Sequence, residues 1–119
     1  MAYLWVALGG AAGSVARYGV GQWSAMALGE GFPWGTLIVN VVGSFIIGVV
    51  TATSSASDLR LLLAVGFCGG FTTFSAFSIQ TLSLIQSGAW ANAALNVVGS
   101  VMLCLLAVAL GFALGGAAK

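Results

Sequence analysis

Charge is nearly absent from this 119-residue chain, which has three basic residues, two acidic residues and no histidine. Charged residues make up 4% of the sequence, whereas soluble domains carry about 25%. So few charges cannot cover a surface that faces water. The net charge of +1 comes without any basic cluster, and this argues against a nucleic-acid partner.

The residue types that carry out catalysis are also missing from the apolar segments. The two acids, Glu30 and Asp58, lie in polar breaks, and Cys68 and Cys104 lie where a cysteine acts as a small hydrophobic residue. Neither a nucleophile–base pair nor a metal cluster can be assembled, so we expect no enzyme. A small proton-coupled exporter of cations needs a carboxylate inside the membrane, and its absence counts strongly against that class.

Hydrophobic residues dominate what remains, at 61% of the chain and a mean hydropathy of +1.14. At about 20 residues per crossing, the sequence predicts an all-α membrane protein with four transmembrane helices. The spans are expected at roughly 3–28, 33–53, 59–86 and 90–114, in a single domain over residues 1–119. We expect the third span to be interrupted near Gly69-Gly70, because glycines weaken a helix.

The basic residues do not decide the orientation of these spans. Four crossings place both termini and the middle loop on one side, with Arg60 and Lys119, while Arg17 leans to the other side. A bias this small is too weak for the positive-inside rule. The chain is therefore able to insert in both orientations, and an antiparallel dimer becomes possible.

Polar residues spaced four apart follow one face of the second and fourth spans. The rows are Thr36, Asn40, Ser44 and Gly48, then Asn92, Asn96, Ser100 and Cys104. One interpretation is interhelical hydrogen bonding, which is worth about 0.6–2 kcal/mol per contact. The other is a path for a polar solute across the membrane.

The third span adds aromatic rings and hydroxyls to these polar rows. Phe74 and Phe77 are three residues apart, and Ser78 and Thr81 extend the same side. Aromatic ring edges carry partial positive charge, and neutral donors bind an anion without trapping it. Arg17 either snorkels to an interface or sets a positive potential that draws anions to a pore mouth. These features indicate a pore for a small anion or a polar solute.

Four segments contain motifs that belong together. They are GSVARY at 13–18, PWGTLIVN at 33–40, GGFTTFSAFS at 69–78 and the Gly99-Ser100 pair. In this order they resemble the fluoride channels (Fluc, also called CrcB) over essentially the whole chain. The pairing of the 33–40 and 69–78 motifs is specific to that family.

The resemblance implies an antiparallel, dual-topology homodimer in the plasma or inner membrane of a prokaryote. It would confer fluoride resistance by passing fluoride passively out of the cell through two parallel pores. The pore-lining residues implied by position are Asn40, Phe74, Phe77, Ser78, Thr81 and Ser100. Arg17 would lie in a vestibule, and backbone carbonyls of Gly69 and Thr72 from both subunits would hold a structural Na⁺ on the dimer axis.

Two departures from the family pattern and several alternatives stay open. Ala76 stands where family members often have threonine, so one hydroxyl is missing, and the roles of Asn92 and Asn96 rest on spacing alone. The alternatives are a small dual-topology exporter of cationic drugs, a structural membrane subunit without transport, and a coupled fluoride/proton antiporter. The partner chain is either an identical copy or a paralogue.

Overall fold

A computed structural model describes residues 1–118, and within this range every regular element is helical. The elements are α1 (Ala2–Leu28), α2 (Trp34–Thr53), α3 (Ser57–Arg60), a π-helical segment (Leu61–Cys68), α4 (Gly69–Phe71), α5 (Phe74–Gln86) and α6 (Trp90–Ala117). The principal extents are 47 × 29 × 22 Å. The longest of them is comparable to a bilayer with its headgroups, about 40–45 Å. Lys119, which enters the charge-bias argument, lies outside the described residues.

Three stretches within residues 1–118 are long and apolar enough to cross a membrane: Trp34–Thr53, Ser57–Gln86 and Trp90–Ala117. They coincide with the second, third and fourth predicted spans, and they make the chain a multi-pass membrane protein. Helix α1 has 27 residues, which is about 40 Å of helix. It is less apolar because small residues and Arg17 occupy much of it. The first crossing therefore stays a prediction.

The third span is broken near the glycine pair, as expected, and the break lies just after the pair. Gly69 and Gly70 are helical, and the chain leaves the helix at Thr72 and Thr73, which have extended backbone with ψ of 158° and 119°. The break therefore begins two residues after Gly70, close to the predicted position, and Gly70 itself has a packing role. A methyl group there would lie 2.5 Å from the Gly10 carbonyl oxygen. The β-branched threonines, in contrast, favour extended backbone.

Close backbone contacts hold α1 against the first half of the third span. A methyl group on Gly13 would overlap the Phe67 carbonyl oxygen and the Phe71 nitrogen, and one on Gly9 would overlap the Leu62 carbonyl oxygen. Small residues allow such contact between membrane helices, and dispersion then stabilises the pair. This packing fixes where Arg17, one turn beyond Gly13, meets the third span.

Helices α2 and α6 form the second tightly packed pair. A methyl group on Gly48 would overlap the Val108 carbonyl oxygen, and one on Gly111 would overlap the Phe45 carbonyl oxygen. Val39, also on α2, is 1% exposed and belongs to the core. Helix α5 packs mainly against α6 and only slightly against α2. The break and α5 therefore border a gap beside the α2–α6 pair.

Candidate functional site at the helix break

The break in the third span is held by the Asn40 side chain from α2. Asn40 Nδ2 donates to the Thr73 carbonyl oxygen at 3.1 Å, and the Thr73 N–H donates to Asn40 Oδ1 at 2.8 Å. An unpaired backbone group inside a membrane costs several kcal/mol. Asn40 thus replaces the helical partners that Thr73 loses when the chain leaves the helix.

The two threonines of the break also pair their own side chains. Thr73 Oγ1 accepts from the Ala76 N–H at 3.1 Å and so caps the N-terminus of α5. Thr72 Oγ1 donates to the Cys68 carbonyl oxygen at 2.7 Å. Sequence reasoning missed Thr73 as a site residue. A threonine immediately before an apolar helical run was the signal that identifies it as a cap.

Arg17 contacts the same break from the α1 side. Its Nε donates to the Gly70 carbonyl oxygen at 3.0 Å, and the side chain is half-buried. Gly70 lies in α4, where the break removes the donors that later helical residues would provide. A cation at the C-terminal end of a helix also interacts favourably with the helix dipole. Arg17 therefore stabilises the break, while its vestibule role stays a prediction.

A cavity of about 370 Å³ lies beside the break. Its lining residues come from α2, the two halves of the third span and α6: Asn40, Gly43, Ser44, Ile47, Ala64, Cys68, Gly69, Thr72, Thr73, Phe74, Phe77, Ser100, Val101 and Cys104. The structure therefore brings together most of the residues predicted for the pore and the cation site. Ser78, Thr81 and Arg17 are not among those that line it. Every lining residue is uncharged.

The two phenylalanines form a tilted pair in the lining of this cavity. Their ring centroids are 5.3 Å apart and their planes are inclined by 39°. Phe74 is 77% exposed, whereas Phe77 is half-buried. Phe74 therefore turns most of its surface away from the rest of the chain, although it also lines the cavity.

The hydroxyl groups predicted for the pore differ in the acceptor to which each donates its hydrogen bond. Ser78 Oγ donates to the Phe74 carbonyl oxygen at 2.9 Å, and Thr81 Oγ1 donates to the Phe77 carbonyl oxygen at 2.7 Å. Both protons are thus used inside α5, in the back-bonding pattern common for Ser and Thr in helices. Ser100 instead lines the cavity from α6, with its proton on Asn96 Oδ1 at 3.3 Å.

Chemically, the cavity offers neutral hydrogen-bond donors and aromatic edges in an apolar setting. The second amide hydrogen of Asn40 Nδ2 is not needed by Thr73, and Ser44 adds a hydroxyl from the same helix face. Such groups replace the water around a small anion without the strong hold of a full positive charge. The fold and this cavity together define a multi-pass membrane protein with a neutral polar site at a broken helix.

Comparison with known proteins agrees with this class. The model of the family described as "CrcB-like protein, Camphor Resistance (CrcB)" matches residues 4–112, so the chain belongs to the CrcB family. The match confirms the resemblance carried by the sequence motifs.

Curated relatives cover nearly the full chain. A protein of Opitutus terrae is 55% identical over 117 residues, spanning 92% of this chain and 88% of the relative. One of Thermus thermophilus is 53% identical over 119 residues, spanning 97% and 94%. One of Magnetococcus marinus is 49% identical over 120 residues, spanning 97% and 98%. All three are named "Fluoride-specific ion channel FluC". Their names are those of ion channels, which confirms the expectation that the chain is not an enzyme.

Proposed function

We propose that this chain is a fluoride-selective channel that lets fluoride leave the cell passively. The observation that carries the proposal is the cavity at the break, where Asn40, Ser100, Phe74 and Phe77 meet with no charged neighbour in the lining. The names of relatives at about half identity support the same ion. Fluoride is small and a strong hydrogen-bond acceptor, so neutral donors at short range suit it well.

The proposed permeation step is an exchange of water for protein donors. Fluoride sheds its water where the cavity narrows, and the free amide hydrogen of Asn40, the Ser100 hydroxyl and the ring edges take over. Chloride is larger and a weaker acceptor, so it fits less well and gains less from the same donors. Because each donor is neutral, the ion is bound moderately and can leave.

The proposed pore is completed by a second copy of the chain in an antiparallel arrangement. Phe74 is too exposed for a finished aqueous path, and the weak charge bias of the chain permits both orientations. An inverted copy would place its own broken helix against the first and create two equivalent pores. We propose a homodimer of four-span subunits in the plasma or inner membrane of a prokaryote, surrounded by lipid, that confers fluoride resistance.

A sodium ion between the two broken helices fits the backbone of the break. The Thr73 N–H donates to Asn40 instead of the Gly69 carbonyl four residues earlier, and Gly69 is exposed with open space around it. Carbonyls freed by an unwound segment are suitable Na⁺ ligands. Gly69 and Thr72 would supply two oxygens per chain, so a complete shell needs both subunits. The ion would supply positive charge that joins the two broken helices.

The second candidate function, export of organic cations, finds little support in the geometry. Glu30 lies in the connection after α1, and Asp58 lies exposed in the first turn of α3. Within the described residues, neither carboxylate reaches the cavity at the break. A structural subunit without transport would have no use for a lined cavity of this kind.

Fluoride release from liposomes tests the proposal. Purified protein is reconstituted into vesicles loaded with potassium fluoride, and release is followed with a fluoride electrode after potassium permeability is provided by valinomycin. The same vesicles loaded with potassium chloride are the counter-test. We expect rapid fluoride release and much slower chloride release. Comparable rates for the two halides would contradict selectivity, and no fluoride release would contradict the channel itself.

A further inference from the structure

Asn96 is the most deeply buried polar side chain in the described structure. It lies on α6, is 1% exposed, and shares that degree of burial only with Val39 among the larger side chains. A buried amide without partners is costly, so its hydrogen bonds must be satisfied inside the protein. Asn96 does not line the cavity at the break, and none of the functional steps above uses it.

The partners of Asn96 connect α5 to the cavity wall. Its Nδ2 donates to Thr81 Oγ1 at 2.9 Å, and its Oδ1 accepts from Ser100 Oγ at 3.3 Å. The single proton of Thr81 goes to the Phe77 carbonyl oxygen at 2.7 Å. The Thr81 oxygen is therefore an acceptor, which requires the Asn96 nitrogen to face Thr81 and its oxygen to face Ser100.

This arrangement makes Ser100 the donor that can be redirected. Its bond to Asn96 is 3.3 Å long, whereas O–H···O bonds are commonly about 2.7–2.8 Å. A long bond is weak, and Ser100 is the member of this network that lines the cavity. Thr81 is held at short distance by two partners and does not reach the lining.

We infer that Asn96 is a positioning residue for the ion path, an inference that rests on the proposed function. Asn96 keeps the Ser100 hydroxyl at the cavity wall with its proton weakly engaged, and it sets the spacing between α5 and α6. An arriving anion takes the Ser100 proton as a hydrogen bond, which leaves Asn96 Oδ1 buried without its donor. That loss opposes binding and favours release of the ion, as conduction requires.

Leucine at this position removes both hydrogen bonds and nearly keeps the side-chain shape. We expect Asn96→Leu to lower fluoride efflux at least about tenfold, equivalent to about 1.4 kcal/mol. The matched control is Asn92→Leu, one turn earlier on α6 and outside this network. Asn92 is half-buried, does not line the cavity and makes no side-chain hydrogen bond within the described residues, so the efflux of this variant should stay within about twofold of the wild-type value.

A double-mutant cycle separates positioning from general packing. If Asn96 acts through Ser100, the double variant Asn96→Leu/Ser100→Ala loses little more fluoride efflux than Ser100→Ala alone. Losses that multiply across the two sites would overturn the inference, as would wild-type efflux in Asn96→Leu.

A second cycle serves if Asn96→Leu fails to fold, as judged by size-exclusion chromatography. Thr81→Val removes the anchor of Asn96 and keeps Ser100, so Thr81→Val/Ser100→Ala should again be close to Ser100→Ala. If the losses of efflux in the two single variants multiply in this double variant, Thr81 is an independent donor and the inference is overturned. Fluoride efflux by the wild type is measured first. If the wild type releases no fluoride, the proposed function and this inference both fail. If the wild type conducts but the losses of the two single variants multiply in the double variant, only this inference is overturned.

Discussion

At the scale of single residues, Asn40 holds the backbone of the break and also offers a hydrogen to the cavity. Because it pairs with both backbone polar groups of Thr73, its removal takes a partner from a half-buried N–H and a half-buried C=O. We expect Asn40→Ala to lower the free energy of unfolding by about 1–3 kcal/mol and to abolish fluoride efflux.

Thermal unfolding in detergent and liposome efflux measure these two effects separately. Ser44→Ala is the control, one turn along α2 and in the same cavity, and it should leave the melting temperature nearly unchanged. Equal melting temperatures for Asn40→Ala and the wild type would contradict the role of Asn40 in stabilising the backbone of the break.

The Phe77 ring is expected to matter through its edge rather than its volume. Isoleucine fills comparable space but lacks the positive ring edge, so Phe77→Ile should reduce fluoride flux while the proposed dimer stays intact. Efflux and size-exclusion chromatography provide the two measurements. Phe112→Ile makes the same chemical change on the exposed face of α6 and should not alter flux. Unchanged flux in Phe77→Ile would assign that ring to packing.

At the scale of elements, the first half of the third span depends on its contact with Arg17. Arg17→Met replaces the charged side chain by an apolar one of similar length and removes the hydrogen bond to the Gly70 carbonyl. A hydrogen bond from a charged group contributes about 1.5–3 kcal/mol, and unfolding in detergent should show a loss of this order. Arg60 donates to the Thr51 carbonyl oxygen at 3.3 Å in an exposed setting, so Arg60→Met should cost much less. Similar losses in the two variants would contradict the stabilising role of the bond between Arg17 and the Gly70 carbonyl.

The packing of α1 gives a second prediction at this scale. Gly13→Ala forces a methyl group into the Phe67 and Phe71 backbone, whereas the space around Gly19 is open. Overpacking of this kind costs about 1–3 kcal/mol, so Gly13→Ala should lower the melting temperature and Gly19→Ala should not. Equal melting temperatures would show that α1 does not pack as the structure has it.

At the scale of the whole molecule, the exposed break predicts where two chains meet. In a Cys68→Ala/Cys104→Ala background, Gly69→Cys should form a disulfide-linked dimer under mild oxidation, visible as a doubling of the 11.9 kDa mass. Bridging requires Cα atoms about 4.4–6.8 Å apart, and Gly69 close to the axis of the proposed dimer would meet this requirement.

Gly116→Cys is the matched control, near the C-terminal end of α6 and also in open space. An antiparallel pair places its two copies on opposite sides of the membrane, so this variant should stay monomeric on a denaturing gel. Cross-linking at Gly116 without cross-linking at Gly69 would contradict the antiparallel arrangement.

Helix identity and approximate limits were predictable from local composition. Long apolar runs ended by Gly29, Ser54 and Ser87 predicted segments close to α1, α2 and the third span, which finishes with α5. The approximate position of the break was predictable in the same way, but the residues at which the chain leaves the helix were not. Gly69 and Gly70 have the weakest helix propensity nearby, yet they stay helical. The chain leaves the helix at Thr72 and Thr73, where the distant Asn40 side chain provides hydrogen-bond partners for Thr73.

The sequence by itself determined that the chain lies in a membrane, that it is helical and which family it belongs to. Those properties follow from the sum of transfer free energies over each segment and from motifs that are contiguous in the chain. Only the tertiary structure decided that Thr81 and Ser78 use their protons inside α5, while Ser100 faces the cavity. Hydroxyls have one proton each, and which acceptor takes it depends on neighbours far away in the sequence.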